Sequence, residues 1–197
     1  ARAGRSAETA GREERFSEGP PVAIPVLASV AILIAILLTA QFDLVRLTSG
    51  VYRHGIVEQS TGYEFPFYKD GRTATVSVRR SVDGFVTLST NGKPDASMER
   101  EWMDTTRLGA GRRELRRDIA TQLLLPIITI AHAPHARNVA VIGHGSGMSS
   151  HVLLGSPHVT EAVTSEIEPE MIAASPIFQP ANRRVFDDPR SSFVIDD

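Results

Sequence analysis

The chain has 197 residues, 42% hydrophobic and 22% charged, enough to bury one substantial core with a smaller appendage. Its formal charge of −2 gives no electrostatic case for nucleic acid, and no nucleic-acid partner is expected. Cysteine is absent, which removes disulfides and thiolate metal sites and fits a reducing compartment.

Residues 1–20 are polar, rich in Gly, Arg and Glu, and without periodicity, so a flexible segment is expected there. Residues 21–41 contain a run without charge from Val22 to Ala40, dense in Ile, Leu, Val and Ala, with Pro25 near its start where a helix tolerates it. A run of that length predicts one transmembrane helix; a buried core helix is the alternative. Arginines and glutamates mix ahead of the run, so the flanking charges set no orientation. Residues 42–62 read as a connector.

Residues 63–98 predict a small antiparallel β domain. Thr73 to Val78 alternates with period two after a Lys69-Asp70-Gly71 turn, Asp83-Gly84 makes another turn, Phe85 to Leu88 a short strand, and Asn91-Gly92 a further turn. Residues 99–136 begin as a charged loop, with Trp102 and the arginines of 112–117 on a mobile surface. They continue as an apolar helix over Ile119 to Ile130 that packs on the sheet, Pro126 bending it or ending a turn. Residues 137–197 alternate: a strand over Asn138–Ile142, a helix from Met148, a strand over Val159–Ser165, a helix from Pro169 to about Phe178, and a strand over Ser192–Ile195. Asp187 to Arg190 stop the preceding helix and set the turn into the last strand. This order implies a parallel sheet with right-handed crossovers. The expected fold class is therefore α/β: a Rossmann-like parallel sheet, incomplete at three strands, preceded by the small antiparallel β domain and one transmembrane helix. Three strands make an incomplete nucleoside-binding domain, so the chain is expected to be an inactive fragment of a longer protein.

The chemistry concentrates where the first parallel strand meets Gly143-His144-Gly145-Ser146-Gly147. Glycines let the backbone turn sharply and approach a ligand, and Glu166, at the end of the next strand, can hold two ribose hydroxyls. The spacing is G-x-G-x-G rather than the G-x-G-x-x-G of a dinucleotide fold, which suits adenosine carrying a sulfonium better than a pyrophosphate. No Gly-Lys-Ser/Thr follows, excluding a P-loop, and Gly145 occupies the place of a hydrolase nucleophile, leaving Ser146 poorly positioned for that role. Glu168 reads as a first-turn helix residue, favourable near the dipole. Five histidines (His132, His135, His144, His151, His158) spread over a loop, a glycine turn and a helix without HExxH spacing, so no metal site is expected.

Five blocks resemble one family in the right order: Phe67 to Val76, Thr90 to Ser97, Val141 to Gly147, Glu166 to Pro169, and Asn182 to Arg190. They are similar to the spermidine synthases (polyamine aminopropyltransferases), and more closely to a membrane-fused bacterial branch, over about Leu47 to Asp197. The resemblance implies a Rossmann-like domain that takes decarboxylated S-adenosylmethionine as co-substrate, with no permanently bound cofactor. It implies transfer of an aminopropyl group to a small-molecule polyamine, at the inner (plasma) membrane with the soluble domain cytoplasmic, and a possible homo-oligomer. By position, Glu166 matches the ribose acid. Gly143, Gly145 and Gly147 match the loop beside the sulfonium, and Asp197 matches the acid near the adenine amine, with Asp196 adjacent. Ser146 stands where the family carries an aspartate, and Thr121-Gln122 where it carries Tyr-His, Gln122 being the candidate substrate residue. Lys93-Pro94-Asp95 replaces a glutamine region, and the family's catalytic aspartate is expected beyond Asp197. The alternatives are an S-adenosylmethionine-dependent methyltransferase, which shares the core and the ribose acid, and a non-enzymatic membrane protein that senses polyamines or couples to transport.

Overall fold

The computed structural model describes residues 23–40, 42–59, 62–104, 106, 115 and 117–196. The chain divides into two compact units, Ala1–Phe42 and Asp43–Asp197. In the first, α1 (Ala23–Thr39) is a 17-residue helix of apolar residues without a buried side chain. Among the described residues no helix is long and apolar enough to cross a membrane, so the transmembrane helix expected over 21–41 is not supported. The polar segment expected over 1–20 lies outside the described residues.

The second unit begins with two short helices where a connector without elements is expected. These are α2 (Leu44–Leu47), capped by the Asp43 carboxylate, which accepts from Val45 N and Arg46 N, and α3 (Val51–His54). Four strands follow, β1 (Glu64–Asp70), β2 (Thr75–Arg80), β3 (Val86–Thr90) and β4 (Lys93–Met98), paired antiparallel in chain order. Asn91 and Gly92, at φ 48° and 75°, close β3 onto β4 as a primed hairpin turn requires. The register aligns Val78 with Leu88 and Leu88 with Ala96, placing Val76, Val86 and Met98 on the same face. These side chains are at most 2% exposed.

That face packs with Ile119, Met148, Met171, Ala174 and Phe178, so the antiparallel sheet and the helices of the parallel domain share one core. Each Val, Leu, Ile, Met or Phe side chain of this core contributes about 1.5–3 kcal/mol on burial. After α4 (Arg100–Met103) comes α5 (Arg117–His132). Trp102, expected on a mobile surface, instead packs against the core; Arg112, Arg113 and Arg116 lie outside the described residues. Pro126 sits inside α5 rather than ending it. Proline has no N–H to give the Gln122 carbonyl, and Ser149 Oγ donates to that carbonyl at 3.2 Å instead.

The parallel part contains β5 (Asn138–Ile142), α6 (Met148–Leu153), β6 (Glu161–Glu166), α7 (Pro169–Ala174), α8 (Arg184–Asp187) and β7 (Ser191–Ile195), with strand order β5-β6-β7. The helix expected from Pro169 to Phe178 tightens into a 3-10 turn at Ser175. Pro176 cannot donate to the Ile172 carbonyl, and Ser175 Oγ does so at 3.1 Å. Arg190 secures the entry to β7. Its guanidinium donates to the carbonyls of Leu154, Val159 and Ser156 and grips Asp188. One sheet face buries Ala162, Thr164 and Glu166; the other leaves Ile142 95% and Val194 47% exposed. Parallel sheets are usually covered on both faces.

Candidate functional site

The carboxyl ends of β5 and β6 open onto a cavity of about 470 Å³, the crevice in which open α/β sheets bind ligands. The glycine turn lines it together with Thr73 and Ala74 of the β1–β2 turn and with Glu166, Ile167 and Glu168 at the end of β6. Thr90, Asn91 and Asp95 from the β3–β4 hairpin, Gln122 from α5 and Met171 from α7 complete it. Gly143, Gly145 and Gly147 have φ of 83°, 54° and 78°, a region that L side chains enter only with strain. A Cβ on Gly147 would also stand 2.9 Å from His144 Cε1.

Glu166 is 6% exposed and ends β6 at the cavity. One carboxylate oxygen accepts from His144 N at 2.7 Å and the other from Glu168 N at 3.0 Å. Each oxygen keeps a second lone pair. The residue is thus aimed by the glycine turn on one side and the start of α7 on the other. It retains acceptor capacity for two neighbouring hydroxyls.

At the opposite end Ser146 Oγ donates to Gln122 Oε1 and accepts from Met148 N at 3.2 Å. Gln122 Nε2 donates to the Ser97 carbonyl at 3.0 Å. Asp95 also lines the cavity, held by Thr90 N at 3.0 Å and Lys93 Nζ at 2.9 Å.

His144, inside the glycine turn, is 6% exposed and packs edge-on against Phe193 at 5.3 Å. Burial pushes its pKa down to about 4, so it is neutral at pH 7. Its Nε2 lies 2.6 Å from Ser175 Oγ. Ser175 gives its single hydroxyl proton to Ile172 O, so His144 Nε2 carries the hydrogen in that pair.

The structure brings Gly143, Gly145, Ser146, Glu166 and Gln122 to one cavity, with Gly147 beneath it as the residue preceding α6. Asp197 lies outside the described residues. Glu168 differs from expectation. Rather than lying in the first turn, it is the N-cap of α7, 2% exposed, and joined to the β1–β2 turn. Burial alone would raise its pKa, but donors from Thr73, Glu170 and Ala74 hold it down at about 2. Thr73, Ala74, Thr90 and Asn91 also enter the site without having been singled out. The turn signals at Asp70-Gly71 and Asn91-Gly92 mark both loops, but nothing local says that they line one cavity with the glycine turn. Among the described residues no three His, Asp or Glu side chains converge as a metal would need.

No protein-family model and no curated protein matches the chain. Solved structures do. A spermidine synthase in complex with the transition-state analogue AdoDATO is 20% identical at a TM-score of 0.52, over 67% of this chain and 39% of that one. A spermidine synthase from Thermotoga maritima is 19% identical at 0.53, over 68% of this chain and 41% of that one. The chain thus spans about two fifths of the length of each. Over the two thirds that align, this chain carries the spermidine synthase fold.

Proposed function

We propose that the cavity holds the adenosine part of decarboxylated S-adenosylmethionine, and that the whole protein transfers its aminopropyl group to the amine of a polyamine. The observation that carries this reading is Glu166, a buried carboxylate at the strand end beside a glycine turn, aimed by two backbone donors and with acceptor capacity remaining. A ribose with adjacent hydroxyls suits that geometry. A fold neighbour solved with AdoDATO adds support.

The chemistry is a displacement. The amine nitrogen's lone pair attacks the sulfonium-bound methylene carbon, a C–N bond forms, and the C–S bond breaks. Its electron pair stays on sulfur as a neutral thioether, and the nitrogen gives up a proton. Little covalent work falls to the protein, which mainly orients the partners. In this reading Glu166 fixes the ribose and the glycine turn lets the backbone approach the sulfonium. Gln122 and Ser146 bound the end where the acceptor amine arrives.

Calorimetry with methylthioadenosine and with decarboxylated S-adenosylmethionine tests the proposal. Wild type is expected to bind both, and Glu166→Gln to lose at least about tenfold in affinity for each, as removal of a charged hydrogen-bond acceptor does. A folded wild-type chain that binds neither nucleoside refutes it.

A further inference from the structure

Two residues beyond Glu166, a second buried acid has no place in the binding role just proposed. Glu168 Oε2 accepts from Thr73 N at 2.6 Å, Thr73 Oγ1 at 2.8 Å and Ala74 N at 3.1 Å, while Oε1 accepts from Glu170 N at 3.1 Å. Thr73 and Ala74 line the cavity, as do the glycine turn and Glu168 itself. The β1–β2 turn also contributes Gly71, where a Cβ would stand 2.2 Å from Glu168 Oε1. Gly71 does not need a left-handed backbone; it needs to lack a side chain so that the carboxylate fits. On the other flank, the Glu168 amide donates to Glu166 at 3.0 Å. A buried carboxylate engaged by four donors is placed, not idle, since burying an acid without partners costs several kcal/mol.

We propose that Glu168 is a positioning residue: it seats the β1–β2 turn as a wall of the cavity and steadies Glu166 through its own amide, so that nucleoside affinity depends on it through these neighbours. The inference rests on the nucleoside reading of the cavity. A purely local helix cap would serve α7 alone. The three bonds to a turn 94–95 residues away in sequence show a carboxylate that joins the two walls instead.

The test uses Glu168→Gln, Gly71→Ala and their combination, with methylthioadenosine as the probe. Gly71→Ala disturbs the same contact from the turn side and keeps the buried carboxylate, so it serves even if the glutamine variant folds poorly. Each single variant should bind about tenfold more weakly, the loss of one or two charge-assisted hydrogen bonds. The double variant should bind no worse than the weaker single variant, because both changes break one contact. Hydrogen exchange at the Thr73 and Ala74 amides should accelerate at least about tenfold in both single variants, with the β2–β3 pairs unchanged. If wild type binds no nucleoside, the cavity reading fails, and the exchange measurement still decides whether Glu168 seats the turn. If wild type binds and folded variants bind equally well, or if the double loss is multiplicative, the positioning role is overturned.

Discussion

Replacing Glu168 by glutamine should remove a component of stability that acid titrates away below pH 4.5. Burial by itself would raise this carboxyl's pKa, but the backbone N–H groups of Thr73, Glu170 and Ala74 and the Thr73 hydroxyl outweigh it and lower the value from 4.5 to about 2. A difference of about 2.5 units at 1.36 kcal/mol each corresponds to about 3 kcal/mol. The folded-state pKa is depressed, so the unfolded chain binds more protons between the two values. The stabilisation is therefore complete above about pH 4.5 and is lost as pH falls towards 2. Urea unfolding of wild type and Glu168→Gln, followed by circular dichroism at pH 6, 5, 4 and 3, isolates this group, since all other titrations are common to both chains. The stability gap between them should shrink by about 2 kcal/mol from pH 6 to pH 3. A gap that stays constant over that range would refute the argument that these donors hold the charged form.

His144 titrates in the window above. Its pKa is lowered from 6.5 to about 4 by burial, so its contribution is full above pH 6.5 and fades as pH falls to 4. His144→Asn should therefore lack about 2 kcal/mol of the wild-type loss between pH 7 and pH 5, measured by the same unfolding method. Gly147→Ala should cost about 2–3 kcal/mol in chemical unfolding, because left-handed strain adds to contact with His144, whereas Gly143→Ala, with open space around its Cβ, should cost only about 1–2 kcal/mol. Equal losses at the two glycines would contradict the packing difference. Arg190→Met should destabilise by about 2–4 kcal/mol, since it strips three carbonyls and Asp188 of their donor, read as a lowered unfolding midpoint with an unchanged slope.

The order of strands and glycine turn in the parallel part was legible, though its second strand runs over Glu161–Glu166 rather than Val159–Ser165 and α8 was not expected. Asn138–Ile142 forms the expected strand, and Met148 begins the expected helix. Glu166 stands at the strand end, because alternation, glycine spacing and strand termini are set by neighbours a few positions apart. The same local signals found the hairpin turns of the antiparallel sheet but not all four of its strands. β4, over Lys93–Met98, begins with Lys, Pro and Asp and carries its buried residues only in its second half. The apolar run over 21–41 shows the reverse. Composition announces a span, yet among the described residues no helix is long and apolar enough for one.

Local sequence thus determined the order of elements, the glycine turn and the acid at its side, since backbone conformation answers to adjacent residues. Tertiary structure alone decided that the β1–β2 turn lines the cavity, that Gln122 meets Ser146, and that Glu168 is a buried tie to a distant turn as well as a residue of the helix start. Those contacts join residues 24 to 95 positions apart. The hydrogen bonds that make them depend on chain closure and burial, and neither leaves a trace in a short window of sequence.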